Sequence, residues 1–349
     1  MIDALAAACP LPTSRYEHIV LGHGSGGRLT ADLVARVFLP AFHNDVLAAL
    51  EDQATVRVGG GRVALTTDSF VVRPIFFPGG DIGRLAVHGT VNDLAVGGAE
   101  PLFLAAAFIL EEGLAIADLE RVVASMRAAC AEAQITLVTG DTKVVDRGKG
   151  DQIFITTTGL GVVPAGRTLS IAAARPGDRV IVSGTLGDHG IAIMSVREGL
   201  AFETTLESDS ACLTPLVRAV LDASSEVRCM RDPTRGGLAS ALNELATASR
   251  VGVTIVESAL PIRPEVASAC EVLGLDPLYV ASEGKLVVIV APQDADRVVD
   301  AMRKHPLGER AAVVGEVVAE HPGMVTQRTR IGGERIVTLL AGEQLPRIC

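Results

Sequence analysis

Hydrophobic positions in this chain change their period repeatedly, and each change marks a new element. Between 117 and 134, Leu119, Val122, Val123, Met126, Ala129, Cys130 and Ala133 recur at the spacing of one helix face, which predicts an amphipathic helix. Residues 102–110 are a short, unbroken apolar run and predict a buried strand. Around them the pattern predicts a helix from the glycine-rich 23–27 segment to 39, a strand over 63–67 ending at Asp68, and a helix over 82–98 carrying Asn92-Asp93. A short strand over 135–139 is expected to deliver Gly140-Asp141-Thr142-Lys143, and another strand covers 153–163. The second half alternates likewise: strands over 179–182, 253–256, 286–290, 312–318 and 336–340, and helices after Gly190 and over 213–223, 237–249, 264–273 and 291–305. Two prolines and two glycines within 164–177 mark a boundary. The interspersed elements predict an α/β (α+β) chain of two domains, 18–165 and 176–340, with an extension at 1–17 and a mobile tail at 341–349.

Composition narrows the function. The 349 residues carry a formal charge of −10, with 48% hydrophobic and 21% charged residues, which excludes a largely disordered chain. The acidic balance argues against a broad nucleic-acid or anionic-membrane surface. It leaves room for one nucleotide, because Mg²⁺ bridges carboxylates to phosphates. Aromatics are only 3% and Trp is absent, so the core must be aliphatic, while 36 glycines suggest many turns or backbone held close to a ligand. The N-terminal segment has no positive start, and Asp3 interrupts its apolar run, so it does not read as a signal peptide; a cytoplasmic protein is expected. None of the six cysteines (Cys9, Cys130, Cys212, Cys229, Cys270, Cys349) forms a C-x-x-C pair, and a zinc site has no support.

Five segments pair a short turn or glycine with an acid: Thr67-Asp68, Asn92-Asp93, Gly140-Asp141, Gly187-Asp188 and the run from Asp232 to Gly237. Glycine lets backbone N–H groups approach phosphates, and carboxylates hold a hard cation. Each acid alone is as readily a cap or turn residue; together they point to a metal–phosphate site. The P-loop pattern G-x-x-x-x-G-K-[ST] is absent. Lys143 shares a strand face with Asp141 and suits either phosphate contact and proton transfer or a surface pair with Asp141 or Asp146. Glu283, beside Gly284 and Lys285, reads as a general base or as a solvated turn. His23 in its glycine loop and His189 at a helix start are not assigned catalytic roles. Cys349 closes the chain after Pro346-Arg347-Ile348. Proline cannot complete a sheet ladder, so the tail is expected to stand free. Arg347 beside the thiol favours the thiolate and the terminal carboxylate opposes it. A mobile arm ending in a nucleophile suits a swinging group carrier.

These residues resemble the HypE family of hydrogenase maturation proteins, within the PurM-like (aminoimidazole ribonucleotide synthetase-like) ATP-binding superfamily. The likeness spans nearly the whole chain after residue 16. It is carried by HGSGG at 23–27, TTDS at 66–69, FFPGG at 76–80, GTVNDLAVGGA at 89–99, FILEEGL at 108–114 and TGDTKVV at 139–145. SGTLGDHG at 183–190, DPTRGG at 232–237, SEGKL at 282–286 and the terminal PRIC continue it. Thr66 in place of Ser and Pro233 in place of Ala are the departures. The resemblance implies a two-domain fold whose N-terminal domain pairs into a β-barrel in a homodimer. It implies that Cys349 receives a carbamoyl group from HypF, that ATP with Mg²⁺ drives its dehydration to a thiocyanate, and that the cyanide passes to iron held by HypC and HypD for a [NiFe]-hydrogenase. By the same likeness Cys349 is the carrier, Lys143 and Glu283 transfer protons, and Asp68, Asp93 and Asp141 hold the metal. Gly24, Gly26, Gly27, Thr142 and Asp232 join them around ATP. Two other readings remain at this point: an amidine- or selenophosphate-forming relative, and a non-catalytic scaffold whose tail thiol binds iron or a partner.

Overall fold

The computed structural model describes residues 18–199, 206–340, 342, 345 and 347–349, so the N-terminal extension and part of the tail lie outside the described residues. The N-terminal sheet is built from β1 (Ala54–Val58), β2 (Gly61–Phe70), β3 (Glu100–Glu111), β4 (Thr136–Val145) and β5 (Ile153–Val162). Their order is β1-β2-β5-β3-β4, antiparallel except for the parallel β3–β4 pair. The β3–β4 connection is α2 (Ile116–Ala133), as a parallel pair requires a crossover. One face of the sheet is covered by α1 (Ile82–Val96), which Asp81 caps by accepting the N–H groups of Gly83 and Arg84. Ile82, Leu85, Val91 and Leu94 of α1 are fully buried, each stabilising the fold by roughly 1.5–3 kcal/mol.

The opposite face is bare in the single chain. Leu65, Leu102, Phe103, Ile109 and Val162 are exposed there, and the edge strand β4 is exposed nearly throughout. The unbroken apolar run at 102–110 therefore forms a strand buried on one side only. Two further expectations change. Val123 is 47% exposed, leaving Val122, Met126, Ala129 and Ala133 as the buried face of α2. Gly140 to Lys143 lie within β4, since the strand predicted to end at 139 runs on to Val145.

The C-terminal sheet contains β6 (Arg179–Val182), β7 (Val227–Arg231), β8 (Gly252–Val256), β9 (Val287–Val290), β10 (Ala312–Val318), β11 (Val325–Arg328) and β12 (Glu334–Val337), in the order β12-β11-β8-β10-β6-β9-β7. Helices α3 (Asp188–Arg197), α4 (Thr214–Ala223), α5 (Gly237–Ser249), α6 (Pro264–Leu273) and α7 (Ala295–Arg303) accompany it. Two aliphatic clusters, one containing Leu238, Leu242, Val253 and Ile289, the other Leu216, Val288, Val298 and Met302, supply its core. Strands β7 and β11 escaped the sequence pattern. No described helix is long and apolar enough to cross a membrane.

The tail does not stand free. Ile348 bridges Val72 in antiparallel fashion, Val71 N–H donates to Cys349 O (3.2 Å), and Arg73 N–H donates to Arg347 O (3.1 Å). The pairing uses residues beyond Pro346, so the proline does not prevent it. Leu345 and Ile348 are buried in the N-terminal core cluster with Val72, Phe77, Ile191 and Val280.

Candidate active site

Alternation along β2 turns Thr66, Asp68 and Phe70 toward α1 and leaves Thr67 and Ser69 on the bare face. Helix α1 presents hydroxyl and acid back to them. Thr90 Oγ1 donates to Asp68 Oδ2 and Thr66 Oγ1 to Asp93 Oδ2, both at 2.9 Å. Asp52, just ahead of β1, and Asp232, just after β7, complete a ring of four aspartates around a cavity of about 200 Å³. Gly26, Arg231, Thr234, Arg235 and the first turns of α5 also line it. Arg231 pairs with Asp52 at 2.5 Å and with Glu244.

This ring is electrostatically uncomfortable. Burial pushes the Asp52 carboxyl up to about 8 despite Arg231, and the Asp232 carboxyl up to about 6. Burial and then Asp68 hold Asp93 well above the ordinary range, and burial raises Asp68. One oxygen each of Asp52, Asp93 and Asp232 lies within 4.8 Å of the others. Among the described residues, Asp232 Oδ2, Ser240 Oγ and Glu283 Oε1 are buried without a hydrogen-bond partner. An all-oxygen set of crowded carboxylates with unmet acceptors fits Mg²⁺ and the phosphates it accompanies. Asp52 carries no glycine beside it and belongs to no motif read from the sequence. It is positioned by the tertiary ion pair with Arg231.

Cys349 enters beside this ring. Its surroundings are Asp68, Ser69, Gly89, Asp93, Asp232, Thr234, Arg235 and Glu283. Burial, then Glu283, push the thiol up, and Arg235 opposes them. The cation that acts on the thiol is therefore Arg235. Arg347 instead pairs with Asp151 at 3.0 Å. Glu283 is 2% exposed, and burial, reinforced by Asp232 and Asp209, pushes its carboxyl up to about 8. Its backbone is clamped on both sides. Asp209 Oδ1 accepts its N–H (3.0 Å), and Asn92 Nδ2 donates to its carbonyl (3.3 Å). Gly284 is pressed on the Asp209 carbonyl oxygen, where no Cβ fits. The solvated-turn reading of Glu283 is thus replaced by a rigid, buried carboxyl.

Other residues singled out in the sequence lie elsewhere. Gly24 O accepts from Arg235 Nη1 (3.4 Å), and Gly27 packs on Leu340, so of the three loop glycines Gly26 borders the cavity. His23 folds back on the Val20 backbone. Asp188 faces Thr185 and Arg263. Asp141, Thr142 and Lys143 do not join the ring within one chain. Ser69, Thr156, Ala107 and Asp141 form one row across the sheet, so Asp141 and, two residues on, Lys143 look away from α1. They sit three strands, roughly 14 Å, from β2. Thr142, in the adjacent row, shares β4 with them at the exposed edge.

A two-domain α/β chain with an acid-ringed cavity between its halves has the donor set of a protein that takes a phosphate ligand with its cation, and its relatives fix the family. Residues 50–163 match the N-terminal domain model of AIR synthase related proteins, and residues 175–326 match the C-terminal domain model. The chain is 57% identical over 335 residues to the carbamoyl dehydratase HypE of Azotobacter vinelandii, covering 96% of this chain and 98% of the relative. It resembles the crystal structure of a HypE–HypF complex (48% identity, TM-score 0.84, 88% of this chain and 99% of that one). It also resembles HypE in complex with ATP (48%, TM-score 0.80, 95% and 100%). The chain belongs to the AIR synthase related family, in its HypE branch.

Proposed function

We propose that this chain uses ATP to dehydrate a carbamoyl group carried on its own Cys349, leaving a thiocyanate whose cyanide serves a [NiFe]-hydrogenase iron centre. The single observation that carries the reading is Cys349 seated between Glu283 and the acid ring. An amide oxygen departs poorly as hydroxide. Phosphoryl transfer from ATP to that oxygen converts it to phosphate, which leaves readily. Loss of both N–H protons then gives the C≡N bond, with ADP and phosphate as the other products. Glu283 is the acceptor for one of these protons: its carboxyl lies against the thiol, and a value raised to about 8 suits exchange near neutral pH. Arg235, which borders the thiol, is assigned to stabilise the charge that develops on the departing oxygen. Asp52, Asp68, Asp93 and Asp232 would hold Mg²⁺. When bound, the ion neutralises phosphate charge and orients the transferred group.

The bare face of the N-terminal sheet supports a homodimer, since an exposed apolar face ending in an unpaired edge strand favours pairing with a second copy. In that assembly Asp141, Thr142 and Lys143 would serve the partner's cavity, with Lys143 as the second proton-transfer group. Carbamoylation by HypF and delivery of cyanide to HypC–HypD require the docked tail to leave its seat, so the tail alternates between inward and outward positions.

The test is intact-mass analysis of the chain with HypF, carbamoyl phosphate and Mg·ATP. Cys349 is expected to gain a carbamoyl group and then lose one water. ATP consumption with no change at Cys349 would refute the reading.

A further inference from the structure

Two motifs have no part in the chemistry above: the 76–80 loop and His189 at the start of α3. They meet at the tail. His189 is fully buried. Its Nε2 lies 2.6 Å from the carbonyl oxygen of Ile348, the residue before the thiol-bearing one, and its Nδ1 lies 2.8 Å from Ser208 Oγ. A carbonyl only accepts, so Nε2 carries the proton and the Ser208 hydroxyl donates to Nδ1. Ser208 is itself fixed: its N–H donates to Pro78 O (2.8 Å) and its Oγ accepts the Ser210 N–H (3.2 Å). The Phe77 ring meets the imidazole edge-on, at 5.6 Å and 86°. Around this centre Leu345 and Ile348 are buried, Arg347 pairs with Asp151, and Arg197 donates to the carbonyls of Arg73 (2.7 Å) and Arg347. Burial favours the neutral imidazole, the form with one donor and one acceptor that this arrangement requires.

We propose that His189 is a positioning residue, locked by Ser208 and Phe77, that registers the C-terminal peptide so that Cys349 Sγ lies against Glu283. The seat draws on both domains, with Val71 to Pro78 from one and His189, Arg197 and Ser208 from the other, so it closes only when the halves and the tail are assembled. A displacement of about 1 Å at a reacting centre costs on the order of a hundredfold in rate. A single hydrogen bond to the preceding peptide is therefore enough to set the reaction. The same bond opposes the tail's departure, so weakening it changes the two half-reactions in different directions.

Two readouts test this, and only the second rests on the dehydration reading. The first is alkylation of Cys349 by an uncharged maleimide in the full-length, ligand-free protein, followed by mass on the C-terminal peptide. His189→Leu, which removes the donor, is expected to raise the rate roughly tenfold, a figure typical for a buried carbonyl left unpaired. His189→Gln, which keeps an N–H at similar reach, should restore slow labelling, and Ser208→Ala should fall between the two. The second readout is dehydration of the carbamoylated chain at saturating ATP. It should slow by tenfold or more in His189→Leu with KM for ATP unchanged, while HypF-dependent carbamoylation is undiminished. Equal labelling of His189→Leu and wild type, or equal defects in the Leu and Gln variants, would overturn the proposal. If the labelling differences hold but even the wild type does not dehydrate, the seat stands and the assigned reaction falls.

Discussion

Replacing Glu283 by Gln should make the ligand-free protein more stable and the enzyme inactive, and the size of the first effect follows from burial. The folded carboxyl sits at about 8 against an ordinary 4.5. The folded state therefore binds more protons than the unfolded state between those values, and stability falls as pH rises through that window. Linkage puts a ceiling on the cost that grows from about 1 kcal/mol near pH ~5.5 to about 3 near pH ~7 and about 5 near pH ~8.5. Gln mimics the neutral acid without taking up a proton, so E283Q should recover part of this cost, and the gain should widen with pH. The assay is urea unfolding of nucleotide-free wild type and E283Q at those three pH values, read as midpoint and slope. A difference that is flat or reversed with pH would show that Glu283 is not held protonated in the fold. In the same variant, dehydration of carbamoylated Cys349 should drop by roughly 10²–10⁴-fold, the usual worth of a positioned base. Normal dehydration by E283Q would refute the assignment.

Asp232→Asn should weaken Mg·ATP binding, measured by calorimetry, by tenfold or more. The same change should stabilise the ligand-free protein above about pH 6, because Asp232 sits near that value in the fold and is ordinarily ionised well below it. Gly284→Ala puts a methyl on the Asp209 carbonyl oxygen, so the Glu283 loop must shift; dehydration should fall at least tenfold while ATP binding is kept, as checked by single-turnover mass and nucleotide titration. Ile109→Lys places a charge in the bare apolar face of β3, and sedimentation should show loss of self-association with the melting transition of the monomer retained.

Much of this fold was legible because local signals and tertiary environment agree. The one-faced α2 follows directly from its period, and the helix expected over 82–98 is α1, whose start the structure fixes with the Asp81 cap. Asp68, Asp93 and Asp232 were visible because each adjoins a turn or a helix crossing. What escaped depended on contacts distant in sequence. Asp52 joins the acid ring through its ion pair with Arg231 across the domains, and nothing in its sequence neighbourhood announces that. Leu102, Phe103 and Ile109 look like core residues because an exposed apolar face and a buried one have the same composition. Lys143 and Asp141 were correctly placed on one face, but which face depends on pairing register, and a shift of one residue would reverse it. The docked tail was misjudged because a proline at 346 forbids its own N–H from a ladder and says nothing about the three residues beyond it.

The four crowded aspartates also bear on how long the polypeptide lasts. Acids that outnumber the Arg231 and Arg235 guanidiniums beside them strain the resting state, and any ligand that binds the folded chain and relieves them raises its stability by mass action. A chain of this kind is best protected when nucleotide and divalent cation are plentiful and most exposed to proteases when they are scarce.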